Sequence, residues 1–271
     1  TISNRPVTPI NHSTIAVQTF RSDGTTDYVN EVGGANPALS DTTDNTAAGN
    51  ISSLNTATTV AQSVSTVVLA GSDVNDVDFG FNFDVIVNTN NAGQGSLRQF
   101  IFNSNELSNI NLDQEDNPAG GVVFNKSAGE EVSIFMIPGN TVHKIILQSA
   151  FPLIQDEFTH ISGYTQQGAI QGTIPNRTLR IEVDGNASTF DGIRIQASNT
   201  QVSGLAIMGV SRSISSYEVN GDNNFYWGNY IGVEADGTTI NANNGIGIQL
   251  VDNINSFVGT NADNYNDSFE G

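Results

Sequence analysis

The feature that most restricts the fold of this chain is an internal repeat towards its C-terminal end. The segment Asp191–Ile207 aligns with Ser215–Ile231 at a shift of 24 residues, and a third copy begins at Gly245–Ile248 after a longer loop at Glu234–Asn244. A period of this size is typical of stacked arrays, in which each copy buries too little apolar surface alone. The alignment pairs Ile193 with Tyr217, Ile195 with Val219, Asn199 with Asn223, Gly204 with Gly228 and Ile207 with Ile231, and it places Ile248 29 residues after Val219.

The repeat predicts which side chains form the core. Apolar residues at equivalent positions of successive copies point inward and stack about 4.8 Å apart, the spacing between neighbouring strands. The turns between strands are called corners. Asparagines at equivalent corners of successive copies adopt the left-handed backbone bend, and their side-chain amides bond to the next copy. The predicted core residues are Ile193, Ile195, Val202, Leu205, Ile207, Val219, Ile231, Ile246 and Ile248.

A short helix is predicted ahead of the repeats, in Asn88–Ile101. The first half of this stretch is a polar turn of asparagine and glycine, and Ser96 then stands where an N-cap hydroxyl accepts from the first helical turn. Leu97, Phe100 and Ile101 follow at the spacing of one helix face. Val85–Val87 ahead of the turn is typical of a buried strand. We expect the helix, Ser96–Asn103, to cover the apolar end of the first repeat.

The same stretch resembles a known opening motif. Asn88–Ile101 resembles the "NTNDSGxGSLRxAI" opening of right-handed parallel β-helix regions in large secreted bacterial proteins, with Phe100 in place of the motif's alanine. Phe151–Ala169 and Trp227–Thr238 are similar to later parts of the same family. The resemblance implies an all-β fold: a right-handed parallel β-helix over residues 83–271 with a short N-terminal capping helix. The residues assigned to this structural cap are Ser96, Leu97, Arg98, Phe100 and Ile101.

Residues 1–82 are interpreted as a separate β-sandwich-like segment. Asp41–Ala48 is predicted as a loop and Val60–Ala70 as a strand. In Val77–Phe83 apolar and polar residues alternate, which predicts a half-buried antiparallel strand with its apolar residues on one face. This strand and the turn before it resemble the end of the B-type β-sandwich modules of bacterial surface adhesins. The module's earlier strands are not evident, so the segment is expected to be incomplete.

Further short strands are predicted between the helix and the clear repeats. Asn103–Ala119 is predicted to be a polar loop. The predicted strands are Gly120–Phe124, Val132–Ile137, Lys144–Leu147, Phe158–Ile161 and Leu179–Val183.

Composition narrows the classes of partner. The 28 acidic and nine basic residues give a net charge of −19, which disfavours nucleic acid and anionic membranes. There is no cysteine, so disulfide and thiolate chemistry are excluded, and no apolar run approaches the ~20 residues of a membrane-spanning helix. The chain begins at Thr1 without methionine or signal peptide, which we interpret as a processed or truncated product.

Catalysis would require converging side chains. Inverting hydrolases need paired carboxylates, and polysaccharide lyases need a proton acceptor with charge-stabilising groups. His143 and His160 lie in strand-like segments, where a position on the surface or at the edge of the core is the simpler interpretation. A group of charged residues could serve such a lyase site, but ion pairs on the outer faces of neighbouring strands explain the same group equally well. These charges are Arg177, Arg180, Arg194 and Arg212 with Glu182, Asp184 and Asp191. Arg98 is expected to hold the capping helix through a carboxylate or backbone carbonyl groups.

Two further groups are candidates for ligand binding. Oxygen ligands for calcium are concentrated in Asp73, Asn75, Asp76 and Asp78, and a second acidic group is Asp113, Glu115 and Asp116. Solvated acidic turns are the favoured interpretation of both, and no other cofactor is expected. Tyr226, Trp227 and Tyr230 belong to a dense aromatic cluster with Tyr217 and Phe225. This cluster forms either a sugar-stacking platform or packing within the array.

The sequence therefore favours a non-enzymatic, extracellular structural or adhesive protein of a bacterial surface. The alternative is a polysaccharide-active lyase or hydrolase, or a carbohydrate-binding β-helix protein. The expected partners are further domains of a longer chain, cell-surface polysaccharide, or another copy. The sequence begins partway through the sandwich-like segment and ends at Tyr265–Gly271 without an evident capping helix or polar terminal coil. These unfinished ends also predict head-to-tail contacts that build a filament.

Overall fold

The computed structural model describes residues 14–21, 55–56, 59–60, 69–75, 77, 79–114, 127–172, 176–217 and 221–259. Most elements in these ranges are short strands. In chain order they are β1 (Val17–Arg21), β2 (Asn55–Thr56), β3 (Thr59–Val60), β4 (Phe79–Asn82), β5 (Val85–Ile86), α1 (Leu97–Glu106), β6 (Glu131–Val132), β7 (Ile134–Phe135), β8 (His143–Ile146), β9 (Leu153–Ile154), β10 (Thr159–Ser162), a 3₁₀ helix (Gly163–Thr165), β11 (Ile181–Asp184), β12 (Ile193–Ile195), β13 (Gln201–Ser203), β14 (Leu205–Met208), β15 (Arg212–Tyr217), β16 (Phe225–Trp227), β17 (Tyr230–Ile231), β18 (Ile246–Val251) and β19 (Phe257–Val258).

Three parallel sheets make up most of the fold. Sheet I has the order β6-β10-β13-β16-β19, sheet II the order β8-β11-β14-β17, and sheet III the order β9-β12-β15-β18. Every pairing within them is parallel. From β8 onward the chain visits sheets II, III and I in strict rotation, so each strand pairs with the strand three places further along. The fold is thus a repeat-like array of parallel strands.

The register of the sheets confirms part of the repeat alignment and corrects the rest. Ile207 pairs with Ile231, at the predicted shift of 24. In sheet III, however, Ile193 pairs with Ile214 and not with Tyr217, and Ile214 in turn pairs with Ile248. The alignment failed there because the connection before β15 is shorter, and that before β16 longer, than in the preceding copy. Corner length varies between copies while the strands keep their pairing.

The core lies between the three sheets. Ile193, Ile195, Val202, Leu205 and Ile207 are fully buried, as predicted. Ile231 and Ile248 are half-buried and pack against the same cluster. Ile246 is an incorrect prediction, because 44% of its surface is exposed in the last strand of sheet III. Val219 lies outside the described residues.

Asparagine has the predicted left-handed backbone bend at one corner of the array. Asn199, Asn223 and Asn255 each precede a strand of sheet I and have φ between 56° and 58°. The Asn199 N–H donates to the Asp222 carbonyl in the next copy at 2.9 Å. Asparagine tolerates this left-handed backbone better than most residues, because its short side chain can bond locally.

The segment before the array pairs antiparallel where it is described. β4 pairs with β1 and therefore has the predicted antiparallel partner. The predicted face is incorrect: Phe81 is 52% exposed, whereas Asn82 is buried and its Oδ1 accepts from the Asp84 N–H. Most of the predicted strand Val60–Ala70 and all of Asp41–Ala48 lie outside the described residues.

The predicted polar loop at Asn103–Ala119 is incorrect at its start, because α1 continues to Glu106. The predicted strand Val132–Ile137 is two short strands with Ser133 between them, and Gly120–Phe124 lies outside the described residues. In the described ranges no helix combines the length and apolar character needed to cross a membrane.

Candidate functional site

Helix α1 begins at the predicted position. Ser96 is its N-cap residue, and the Ser96 hydroxyl accepts from the Gln99 N–H at 3.1 Å. Leu97, Phe100 and Ile101 are fully buried and belong to the same apolar cluster as the strands of the array. The helix therefore packs its apolar face against the first strands, as amphipathic spacing requires.

Side-chain amides occupy the strand edges beside α1. The Ile154 carbonyl accepts from the Gln196 N–H beyond β12, so Leu153 O and Gln155 N–H point away from β12. Asn105 of α1 bonds to both: its Nδ2 donates to Leu153 O and its Oδ1 accepts from the Gln155 N–H, each at 2.8 Å. The amide thus takes the place of a peptide group from a further strand.

Side-chain amides also contact the other two sheets at this end. In sheet I, the Val132 N–H donates to Gln114 Oε1 at 2.6 Å, and Gln114 Nε2 lies 3.4 Å from Val132 O. In sheet II, the Gln148 N–H, just beyond β8, donates to Asn91 Oδ1 at 2.9 Å. We call these edges, with Asn91, Asn105 and Gln114, the amide-capped end. Because unpaired strand edges recruit other strands, these amides protect the end of the array.

Arg98 joins α1 to the turn before β9. Its guanidinium donates to the carbonyl oxygens of Asn91, Ser149 and Ala150 at 2.6–2.7 Å, and its Cζ lies 5.2 Å from the centre of the Phe151 ring. Burial, with a smaller contribution from the charge of Arg194, lowers the pKa of Arg98. Backbone carbonyl groups are therefore the partners, the second of the two arrangements expected from sequence.

A charged cluster lies on the outer face of sheet II. Lys144 Nζ is 3.1 Å from Glu182 Oε2, 3.2 Å from Glu234 Oε1 and 3.7 Å from Asp184 Oδ2. Strand pairing explains the first contact, because Lys144 and Glu182 are register partners on neighbouring strands. Burial lowers the pKa of Lys144, but hydrogen bonds to Glu182 and Glu234 outweigh this effect and leave the pKa raised.

The loop between β17 and β18 covers this cluster. Glu182 Oε1 accepts from the Ala235 N–H at 2.8 Å, and Asn241 Nδ2 lies 3.4 Å from Asp184 Oδ2. The loop matches the one predicted at Glu234–Asn244. Because Glu182 is almost fully buried beneath it, Lys144 supplies the positive charge that this carboxylate needs.

The predicted arginine row does not converge on one site. Arg212 Nη1 forms an ion pair with Asp191 Oδ2 at 3.0 Å. Arg194, Arg180 and Arg177 donate to the backbone carbonyls of Phe151, Gly168 and Gly172. His143 and His160 are both buried, and His143 Nε2 lies 3.1 Å from the Gly139 carbonyl. The arginines therefore hold strands and turns together.

The aromatic residues of β16 and β17 divide between different environments. Tyr226 points into the core, where burial raises its pKa to about 12. Trp227 is 9% exposed and stacks on Tyr164, with ring centres 5.4 Å apart. Tyr230 is also buried, in a smaller cluster on the loop side of sheet II. Little of these three rings is accessible to a sugar. The side chain of Tyr217 lies outside the described residues.

The candidate calcium residues are only partly described. Asp73, Asn75 and Asp113 are exposed, whereas Asp76, Asp78, Glu115 and Asp116 lie outside the described ranges. Within those ranges, no three histidine or acidic side chains are arranged to hold a metal ion.

The sequence did not reveal the roles of Asn105, Gln114 and Lys144. The two amides fall in the stretch predicted to be loop, where nothing local distinguishes a capping amide from a solvated one. The Lys144–Glu182 pair depends on strand register, which the irregular corner lengths obscure. The chain matches no protein-family model and has no significant match among solved structures.

Proposed function

We propose that this chain is a non-enzymatic structural or adhesive protein of a bacterial cell surface, and that residues 83–271 form a right-handed parallel β-helix with α1 as its cap. The observation that carries the proposal is the strict rotation of the chain through sheets I, II and III from β8 to β19. A chain that returns to each sheet every third strand builds a rod whose length grows with the number of copies. Such a rod suits spacing or display at a surface.

The polar side chains support a structural role. Arg98 and Asn105 bond to backbone groups, and Arg212 is paired with Asp191. A lyase would need an accessible proton acceptor, for which Lys144 beside Glu182 is the nearest candidate. The raised pKa of Lys144 keeps its amine protonated, which opposes that role.

The acidic composition is consistent with an extracellular setting. A net charge of −19 favours solubility and repels other polyanions, while it attracts divalent cations such as calcium. The proposed partners are neighbouring domains of a longer chain, another copy, or uncharged cell-surface polysaccharide.

The proposal is tested by incubating the chain with pectin, alginate and chondroitin and following unsaturated products by ultraviolet absorbance, with reducing ends assayed in parallel. We expect no turnover with or without calcium. Product formation that is abolished in Glu182→Gln or Lys144→Met, but not in Arg180→Met, would replace this proposal with the polysaccharide-active alternative.

A further inference from the structure

An extended segment near the N-terminus of the chain lies against helix α1. Asn103 of α1 is fully buried, and its amide bonds to both backbone groups of Ile15. The Ile15 N–H donates to Asn103 Oδ1, and Asn103 Nδ2 donates to the Ile15 carbonyl, each at 2.9 Å. Asn103 Nδ2 also donates to the Phe83 carbonyl at 2.7 Å. One side chain of the helix therefore holds two extended stretches that are distant in the sequence.

The next residues of the same segment are also held by their backbone. Gln94, in the turn before α1, donates from Nε2 to the Ala16 carbonyl at 2.8 Å. From Val17 onward the segment is β1, which pairs antiparallel with β4. Backbone bonding of this kind recognises an extended conformation whatever side chains it carries.

One apolar pocket adds a preference for a particular side chain. Val17 is 3% exposed and forms a small apolar cluster with Val85 and Val87, against which Ile134 packs. This cluster is separate from the main core of the array. Because it contains so few side chains, a large part of its buried apolar surface depends on Val17.

We infer that α1, the turn before it, β4 and the pocket around Val85 and Val87 form a strand-binding groove, and that residues 14–21 of the same chain are its occupant. The groove recognises an extended peptide through backbone bonds and through a small β-branched residue that fits the pocket. Because the occupant and the groove are joined covalently, the segment is bound at a high effective concentration. Residues 14–21 thus act as part of the cap of the array, and the same segment supplied as a separate peptide can take their place.

The first test compares two amides of one helix in the full chain. Asn103→Leu removes the bonds to Ile15, whereas its matched control Asn105→Leu removes two bonds to the edge of β9. Hydrogen exchange followed by mass spectrometry measures residues 14–21 and strands β11–β14 separately. We expect Asn103→Leu to speed exchange of residues 14–21 about tenfold relative to those strands, and Asn105→Leu to leave this ratio unchanged. Equal ratios for the two variants would overturn the inference.

The second test supplies the strand as a separate peptide. Val17→Asp places a charge in the apolar pocket of the full chain and should release residues 14–21; Val17→Thr, which buries a hydroxyl there, replaces it if the aspartate variant does not fold. A fluorescent peptide with the sequence of residues 14–21 should bind this variant saturably, and about tenfold more weakly the unmodified chain, whose groove is already filled. The same peptide carrying Val17→Asp should bind neither chain. Binding that is equal for the two chains, or absent from both, would contradict a strand-binding groove.

Discussion

Asn105 Nδ2 donates to the carbonyl oxygen of Leu153 at 2.8 Å, across the outer edge of strand β9. The same amide accepts from the N–H two residues later, so one side chain reproduces both bonds of a neighbouring strand. The outermost strand of a β-array has unpaired backbone groups that can pair with another chain. A polar helix residue that bonds to these groups prevents such pairing.

Loss of the Asn105 amide is expected to destabilise the array. Asn105→Leu removes two hydrogen bonds from the edge of β9, one partly buried and one exposed to water, and should lower the free energy of unfolding by about 0.5–1.5 kcal/mol, the net contribution of a typical hydrogen bond. Phe102→Leu is the control, because Phe102 is exposed on the same helix. Denaturant unfolding measures both variants. Equal stability of Asn105→Leu and the unmodified chain would contradict the capping role.

The core positions should not tolerate charge. Ile195 is fully buried between Ile154 and Ser216 on neighbouring strands. Ile195→Asp places an unpaired carboxylate there and should prevent folding, whereas Ile195→Val should cost about 0.5–1.5 kcal/mol. Circular dichroism and soluble yield distinguish the two results. A folded Ile195→Asp protein would be incompatible with the stacked core.

Gly228 should be essential for packing at its corner. Its φ is 62°, and a Cβ there would lie 2.2 Å from the Tyr164 hydroxyl oxygen. Gly232 is the matched control: its φ is 75°, but its nearest atom would lie 3.8 Å away. Both alanine variants incur the left-handed backbone cost of about 1–2 kcal/mol. Only Gly228→Ala should also displace Tyr164 from Trp227, seen as a change in tryptophan fluorescence. Similar stabilities and spectra for the two variants would argue against this packing.

The Lys144 cluster should behave as a coupled group. Lys144→Met leaves the buried Glu182 carboxylate without its cation and is expected to cost about 1–2 kcal/mol, a value reduced because Lys144 is partly exposed. Adding Glu182→Gln to this variant should recover part of the loss. Thermal unfolding of both single variants and the double variant gives the coupling energy. Additive effects would mean that the two side chains act independently.

Alkaline pH should destabilise the fold through Tyr226. Burial raises the pKa of Tyr226 to about 12 in the folded chain, whereas an unfolded tyrosine has a pKa of about 10. Its contribution to stability is therefore full below pH ~10 and is lost as the pH rises towards the folded value. The free energy of unfolding of Tyr226→Phe should fall less steeply between these pH values than that of the unmodified chain. Identical pH profiles would show that Tyr226 ionises freely in the fold.

The sequence predicted the elements better than their alignment. Leu97, Phe100 and Ile101 follow helix spacing, and Ser96 is a strong capping residue, so local chemistry was sufficient to predict α1. The partner of Ile193 could not be predicted in this way, because it depends on how many residues each corner contains. A corner can lengthen by a few residues at little cost to the strands, and a fixed sequence shift then fails.

The candidate sites were less predictable still. Tyr226 and Trp227 are adjacent in sequence, yet the alternation of a strand places one in the core and the other against Tyr164 on the outer face. In β4 the alternation was recognised, but the wrong face was predicted to be buried. Asn82 lies inside, where its side-chain oxygen accepts a hydrogen bond from the Asp84 N–H, and Phe81 is exposed.

The stacking of sheet III is the central claim, and one distance tests it most directly. Leu153, Arg194, Ser215 and Gln249 are successive register partners. The Cα atoms of residues 153 and 249 should therefore be three strand spacings apart, roughly 15 Å. Spin labels introduced by Leu153→Cys and Gln249→Cys report this separation by electron paramagnetic resonance. A narrow distribution consistent with roughly 15 Å plus the label linkers is the predicted result. A broad distribution, or a distance more than twice that value, would contradict the stacked array.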